Sequence, residues 1–385
     1  METMLRSVAM SGYFDVTRRL GLNPAALAQQ AGIDAAALAN SDDRVPAAAC
    51  CRLLELTAEK AACPTFALLM AETRQKFGTG VVNVLLSHKR TLREVLLAAV
   101  EYRHLLNEAL AVYVENAGET VTIREELVVE PGTPTKQAIE LALGVLARHS
   151  SALLADHWKP RAVHFTHAAH ADLTFHRRFF GCPLEFGSDF NGFVCAAADL
   201  DYPNPAADPE LVRYAESLVA PLDPMGTDST ALEVRKAIYL LLPLEQATVE
   251  PVARHLRLSV RTMQRQLELA DTSFSALVEE VRRELAVRYM SNPRYPIGRV
   301  AALLGYAQQG SFTNWFALRF GMTPRDWRNS VDRRVSRWIS ADGSGVIGDV
   351  RDWMWIANPL TSNCRDGIFA RPVRTWNRQG HDRSP

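Results

Sequence analysis

The chain is predicted to be an α+β protein in which a mixed α/β N-terminal domain precedes an all-α region built from two helix-turn-helix units. Three observations predict it. Apolar residues between Thr248 and Arg328 recur at helical spacing. The stretch AVYVENAGETVTIREELVV alternates β-branched and polar residues about an Asn116-Ala117-Gly118 turn. Between these patterns lie DYPNPAADPE and APLDPMGTDST, rich in Pro, Asp and Ser, which favour turns and linkers over packed elements. A length of 385 residues also exceeds what one hydrophobic core usually organises. The expected divisions are 1–224, 225–331 and 332–385, with the first boundary near Pro224 to Thr230.

Residues from about Gly21 to Arg74 read as short helices, rich in Ala and Leu and punctuated by Asn23-Pro24, Gly32 and Val45-Pro46. Within them LNPAALAQQAGIDAAAL has the outline of a helix-turn-helix, but it carries almost no charge on any face and is assigned to packing. A helical run LREVLLAAVEYRHLL precedes the hairpin, and KQAIELALGVLARHSSALL forms the next helix. PRAVHFTH, ADLTFHRRFFG and CPLEFGSDFNGFVCAAADL complete the mixed domain.

The first helix-turn-helix unit, about 248–270, opens at Thr248 as N-cap, with Pro251 in the first turn where its missing N–H breaks no helical bond. Val249, Val252, Ala253 and Leu256 share one face. Ser259 caps a second helix whose Val260, Met263 and Leu267 point inward at i, i+3 and i+7. Its other face presents Arg261, Thr262, Gln264 and Arg265, residue types that fork onto purine edges or phosphates in a major groove. A long helix from about Ser273 to Ser291 follows, and its stripe of Phe274, Leu277, Val278, Val281, Leu285 and Tyr289 is core. On it Arg282, Arg283 and Arg288 are expected to be solvated or paired with Glu279, Glu280 and Glu284.

The second unit, about 296–320, starts with Pro296 and runs through Ile297, Val300, Ala301 and Leu304 to a left-handed stop at Gly305. In QQGSFTNWFALRFG, Phe312, Phe316 and Phe320 recur every four residues and must be buried. That leaves Gln308, Gln309, Ser311, Thr313 and Asn314 to hydrogen-bond base edges or phosphate. Thr323 and Pro324 start a short capped helix carrying Trp327.

Charge supports the same assignment locally. Lys+Arg and Asp+Glu balance at 43 each over the chain, but residues 243–330 hold twelve arginines against eight acids, a surplus of +4 suited to approaching phosphates. Hydrophobic residues at 48% and charged residues at 22% exclude global disorder and a fibrous architecture. The six cysteines form no CxxC pair, so a reduced compartment is expected. The N-terminus lacks a continuous apolar segment and no stretch approaches the roughly 20 apolar residues of a spanning helix, so a cytoplasmic location without a membrane partner is expected. After Val331, Trp residues are scattered without period among Gly, Arg, Asp and Pro, and 332–385 is expected to be a disordered extension.

VARHLRLSVRTMQRQL followed by VAALLGYAQQGSFTNWFALRFGMTP resembles the tandem helix-turn-helix domain of the AraC/XylS family of bacterial transcription regulators. RAVHFTHAAHADLTFHRRFFGCPLEFGSDFNGFVCAAADLDYPNP resembles the arabinose-binding/dimerisation-type regulatory domain of ornithine-utilisation regulators. The resemblance extends to about Val331. It implies that 1–224 senses an effector and dimerises while 225–331 binds promoter DNA. A small-molecule effector, a homodimer, contact with RNA polymerase and activation of transcription follow from it as expectations. Two departures stand out: Asp271 replaces the usual Gly after the first recognition helix, and Asn314 stands where Arg is frequent.

The competing reading is a metal-dependent enzyme fused to a DNA-binding module. His164, His167, His170 and His176 would suggest zinc if they lay on a helix, where i, i+3 and i+6 share a face. Pro160, Val163, Phe165 and Thr166 instead favour a strand, in which His164 and His167 point oppositely, so no metal ligand is assigned. Cys182 and Cys195 read as small buried hydrophobes. No nucleophile elbow, GxGxxG or P-loop is present, and neither a catalytic residue nor a cofactor is assigned.

Overall fold

The computed structural model describes residues 3–41, 43–74, 80–102, 105–219 and 227–330. The expected extension 332–385, including Cys364, lies outside them. Two compact units are formed, Met1–Phe312 and Thr313–Pro385.

The first unit begins with β1 (Met4–Arg6), α1 (Tyr13–Arg19), α2 (Pro24–Gln30), α3 (Ala35–Ala39), β2 (Arg44–Pro46), α4 (Ala47–Lys60) and α5 (Phe66–Thr73). The helix-turn-helix outline noted above becomes α2 and α3. Asn23 Oδ1 accepts from Ala25 N at 3.1 Å and Asp34 Oδ1 from Ala36 N at 2.9 Å, while Leu27, Ala28, Ile33 and Leu38 are buried. Packing is thus its role. Next come α6 (Val81–Ser87), α7 (Leu92–Glu101), β3 (Leu110–Ala117), β4 (Thr120–Leu127), α8 (Lys136–Leu154), β5 (Ala162–Phe165) and α9 (Thr174–Phe180). The domain closes with β6 (Leu184–Phe186), β7 (Asn191–Ala196), α10 (Ala197–Leu200) and α11 (Pro209–Val219).

Five strands make one sheet in the order β3-β4-β7-β5-β6, with only β5 and β6 parallel among these neighbours. The predicted hairpin is β3–β4, pairing Ala117 with Thr120 across Gly118 at φ 69°. Gly192 on β7 has no alternative: a Cβ there would lie 2.0 Å from the Ile123 carbonyl oxygen of β4. Gly144 on α8 similarly admits α5, since a Cβ would meet that of Ala71 at 2.8 Å. The core running from Leu5 to Val219 packs these helices on the sheet and includes Cys195. Burial pushes the Cys195 thiol up to about 12, which leaves it an unreactive apolar group.

The stretch DYPNPAADPE is a fastened turn. Buried Asn204 donates from Nδ2 to the Ser87 and Lys89 carbonyls at 2.9 and 2.8 Å. The later part of APLDPMGTDST, from Thr227, is already helical, because α12 (Thr227–Leu241) starts there. Then follow α13 (Val249–His255), α14 (Val260–Leu269), α15 (Phe274–Met290), α16 (Ile297–Leu303) and α17 (Gln309–Phe320). Buried Lys236 ties α12 to the sheet side, donating to the Glu108 carbonyl at 2.9 Å. In the second unit Phe316 and Phe320 stack at 4.2 Å and Trp327 meets Phe316 edge-on at 6.2 Å.

Candidate nucleic-acid interface

Helices α13 and α14 form the first helix-turn-helix. Val252 and Ala253 bury one face of α13, and the chain reverses at Arg257, which takes a left-handed φ of 55°. Ser259 Oγ accepts from Thr262 N at 3.0 Å and caps α14 as its residue type predicts. Met263 and Leu267 are fully buried, so the opposite face carries Arg261, Gln264 and Arg265 into solvent. None of these three side chains has a hydrogen bond or ion pair among the described residues. Thr262 differs, because its hydroxyl lies 2.7 Å from Ser259 Oγ and serves the cap. Asp271 takes a left-handed φ of 51° after the helix, the geometry its position demands.

Helix α16 and the start of α17 form the second helix-turn-helix. Pro296 is the N-cap of α16, Gly305 turns the chain at φ 75°, and Val300, Ala301 and Leu304 are buried. Phe312, Phe316 and Phe320 are buried as their spacing requires. Gln308, Gln309 and Ser311 are exposed at the N-terminal end of α17, and on the same helix Asn314 is exposed and Thr313 half-buried.

Among the described residues Arg283 of α15 is exposed, as expected, whereas Arg282 and Arg288 find partners off their own helix. Arg288 reaches Glu126 of β4 at 2.8 Å, Arg282 donates to the Leu304 carbonyl at 3.0 Å beneath Tyr306, and Glu284 accepts from Arg235 of α12 at 2.7 Å. The local pattern missed this because partners on other helices and strands have no sequence spacing. Tyr295 donates to the Gly187 carbonyl at 2.9 Å, and Arg299 pairs with Asp189. The residues after α15 therefore rest on the β6–β7 turn.

Within the N-terminal domain lies a cavity of about 590 Å³, walled by Met10, Leu54, Leu86, Leu96, Leu141 and Leu146 and carrying Arg74, Asn83, Glu125 and His149. No residue pattern could separate these from core, because the cavity walls are simply core side chains with nothing opposite. Arg74 gives one hydrogen bond to the Ala9 carbonyl, and its buried Nε has no partner. Burial pushes its guanidinium down to about 10, so it remains a cation at neutral pH. His149 is pushed down to about 4, first by burial and then by Arg74 and Arg148, and is neutral. Burial raises the Glu125 carboxyl to about 8. Between the ordinary carboxylate value of about 4.3 and that raised value the folded chain binds more protons than the unfolded one, so stability falls as pH rises through this window and levels off above 8. Glu125→Gln is expected to abolish that slope and to gain on the order of 5 kcal/mol at pH 9 relative to wild type. Urea denaturation across pH 5 to 9 checks it, and parallel curves for the two proteins would refute it.

The histidines divide differently from the sequence reading. β5 stops at Phe165, so strand alternation does not govern His167. His164 stays apart, stacked on Phe190 at 4.6 Å and bonded to Ser188 Oγ at 3.1 Å. His167, His170 and His176 instead converge on Glu140 of α8, their Nε2 atoms lying 3.4, 2.7 and 3.3 Å from Oε1. Glu140 was missed. Its signal was an acid on the buried stripe of α8, three residues before Leu143 and one after Ile139.

Among the described residues no helix is long and apolar enough to cross a membrane. Two family profiles match: "Arabinose-binding domain of AraC transcription regulator, N-term" over residues 21–204, and "Helix-turn-helix domain" over residues 252–330. The chain is similar to the HTH-type transcriptional regulator VirS of Mycobacterium tuberculosis, with 29% identity over 85% of this chain and 97% of that relative. It is also similar to the ornithine utilization regulator of Pseudomonas aeruginosa, with 22% identity over 69% of this chain and 79% of the relative. The crystal structure of the transcriptional regulator CdpR from Pseudomonas aeruginosa aligns at 21% identity and a TM-score of 0.35, over 71% of this chain and 91% of that one. A sheet domain that matches the N-terminal profile of AraC regulators, followed by a region that matches the helix-turn-helix profile, means that this chain belongs to the AraC family of DNA-binding transcriptional regulators.

Proposed function

We propose that this regulator is a cytoplasmic homodimer that activates transcription when its N-terminal domain, within 1–224, binds a small effector with an apolar body and an anionic end. The 225–331 region reads the promoter. Arg261, Gln264 and Arg265 contact bases or phosphates in one major-groove segment, with Thr262 setting the helix start, and Gln308, Gln309, Ser311, Thr313 and Asn314 do so in another. Contact with RNA polymerase converts occupancy into activation.

The observation that carries effector control is the cavity with Arg74 on its wall, a cation whose buried Nε has no hydrogen-bond partner. Arg74 has no carboxylate partner among the described residues, while apolar side chains line most of the remaining wall. An anion on Arg74 satisfies the open donor, and an apolar body fills the rest. Strand β4 offers the route outward: Glu125 lines the cavity, and its neighbour Glu126 holds Arg288 of the DNA-binding region. Successive strand residues point to opposite faces, so a ligand that shifts β4 on one side alters the ion pair on the other.

The test uses the full chain with octanoate, phenylacetate and a library of small carboxylates. A ligand of this class is expected to raise the thermal midpoint by several degrees and to change transcription in vitro from a selected site, with both effects lost in Arg74→Met. If no carboxylate shifts either readout, effector control through this cavity is wrong.

A further inference from the structure

We infer that Glu140, His167, His170 and His176 form a closed site for a divalent transition metal, zinc in the first instance, which staples the 166–176 segment to α8. The inference does not rest on the effector reading. Its basis is a set of four side chains whose nitrogens and oxygens face one another without enough protons between them.

Protonation is the first observation. His167 Nδ1 lies 2.9 Å from the Ala168 carbonyl, and because a carbonyl only accepts, Nδ1 carries the hydrogen. In the neutral ring Nε2 then bears a lone pair, and it points at Glu140 Oε1 across 3.4 Å with no hydrogen-bond partner. A lone pair aimed at a carboxylate oxygen in a buried site is repulsive unless a cation sits between them. The same nitrogen-to-carbonyl bond is the usual outer support of a metal-bound histidine, fixing both tautomer and ring orientation.

Spacing is the second. Four ligands at about 2.0–2.1 Å from a tetrahedral zinc stand roughly 3.3 Å from one another. Nε2 of His167 and of His176 already lie 3.4 and 3.3 Å from Glu140 Oε1. The ligand atoms of Glu140, His170 and His176 all fall within 4.8 Å of one another, whereas His167 stands close only to Glu140 and has to swing toward the other two imidazoles to complete the set. His170 alone is closer, at 2.7 Å, the length of its Nε2–H hydrogen bond to the carboxylate.

Unmet polar groups are the third. His176 is fully buried and neither ring nitrogen has a partner, and Glu140 Oε2 is also without one. Leaving so many buried groups unsatisfied is costly, and a bound cation removes most of that cost at once. The His170 and His167 side chains are 7% and 14% exposed, which leaves the site a rim for metal entry.

Lys136 opposes the metal. Its Nζ lies 3.2 Å from His170 Nδ1 and donates there. When metal takes Nε2 the His170 proton moves to Nδ1, and the Lys136 ammonium must turn aside. Removing that ammonium therefore strengthens binding, whereas removing a ligand weakens it. Four protein ligands leave no open position for water, so the site is structural and not hydrolytic. The staple also lies beside the junction with the DNA-binding region, because the His167 carbonyl accepts from Gly187 N at 2.9 Å and Gly187 in turn accepts from Tyr295.

The experiment titrates Co²⁺ into tag-free, chelator-stripped full-length protein, follows the visible absorption of tetrahedral cobalt, and then competes with Zn²⁺. One Co²⁺ per chain, displaced by one Zn²⁺, is the expected result, with affinity reduced more than about 100-fold in His176→Gln and in Glu140→Gln. His170→Asn, at the rim, guards against misfolding: with unchanged circular dichroism it should also lose the cobalt spectrum. Lys136→Met should bind more tightly than wild type. Absence of a cobalt spectrum in the wild type, or a spectrum unaltered in both His170→Asn and Glu140→Gln, overturns the site and leaves a hydrogen-bonded cluster of imidazoles around a carboxylate.

Discussion

Arg265→Ala is expected to weaken binding to a selected duplex by about 1–3 kcal/mol, which is roughly 5- to 150-fold in Kd. The residue sits on the solvent face of α14, opposite the buried Met263 and Leu267, and makes no contact with a partner among the described residues. Its removal therefore leaves the core and the Ser259 cap intact, and the loss falls on DNA alone. If Arg265 forks onto a guanine edge, the variant relaxes base preference at one position. If it holds phosphate, affinity falls evenly across sequences and the salt dependence becomes shallower by about one counterion. Gel-shift titration at two salt concentrations, against a site obtained by in vitro selection, separates these outcomes. Unchanged affinity together with unchanged base preference would remove α14 from the interface.

Glu126→Gln or Arg288→Met alone is expected to destabilise the chain by about 2–3 kcal/mol, because each leaves a largely desolvated partner charge without its counterpart. The two side chains are 15% and 28% exposed and meet at 2.8 Å, which places the pair between surface ion pairs and fully buried ones. Replacing both, as Glu126→Gln with Arg288→Met, should recover most of the loss, since no unpaired charge remains. Urea denaturation of the two single variants and the double, read as a double-mutant cycle, measures the coupling directly. Single-variant losses below about 0.5 kcal/mol would mean that this contact behaves as a solvated surface pair and holds nothing in place.

Much of the DNA-binding region was legible because its signals are local. Ser259 as N-cap, the inward positions Met263 and Leu267, the left-handed turn at Gly305 and the four-residue repeat Phe312, Phe316 and Phe320 all depend on neighbours within a few residues. The β3–β4 hairpin and the full span of α8 were legible for the same reason. The readings that changed concern partners remote in sequence. Arg288 was expected to be solvated or to pair along its own helix and instead joins Glu126, 162 residues away. Strand alternation would set His164 and His167 on opposite faces only if the strand ran through His167, but it ends at Phe165, where pairing with β6 and β7 stops.

Taken alone, the order of residues determined where helices and strands lie and which helix faces carry Arg261, Gln264 and Arg265, since period, caps and turn residues act over a few ångströms along the chain. Folding decided what no spacing encodes: that Arg74 and Glu125 share one cavity, that β4 links this cavity to α15, and that three histidines surround Glu140. The physical reason is that a cavity or a ligand cluster is a property of surfaces brought together across the core. Such meetings depend on how helices pack and strands register, and Gly192 and Gly144 permit two of the closest approaches in this fold.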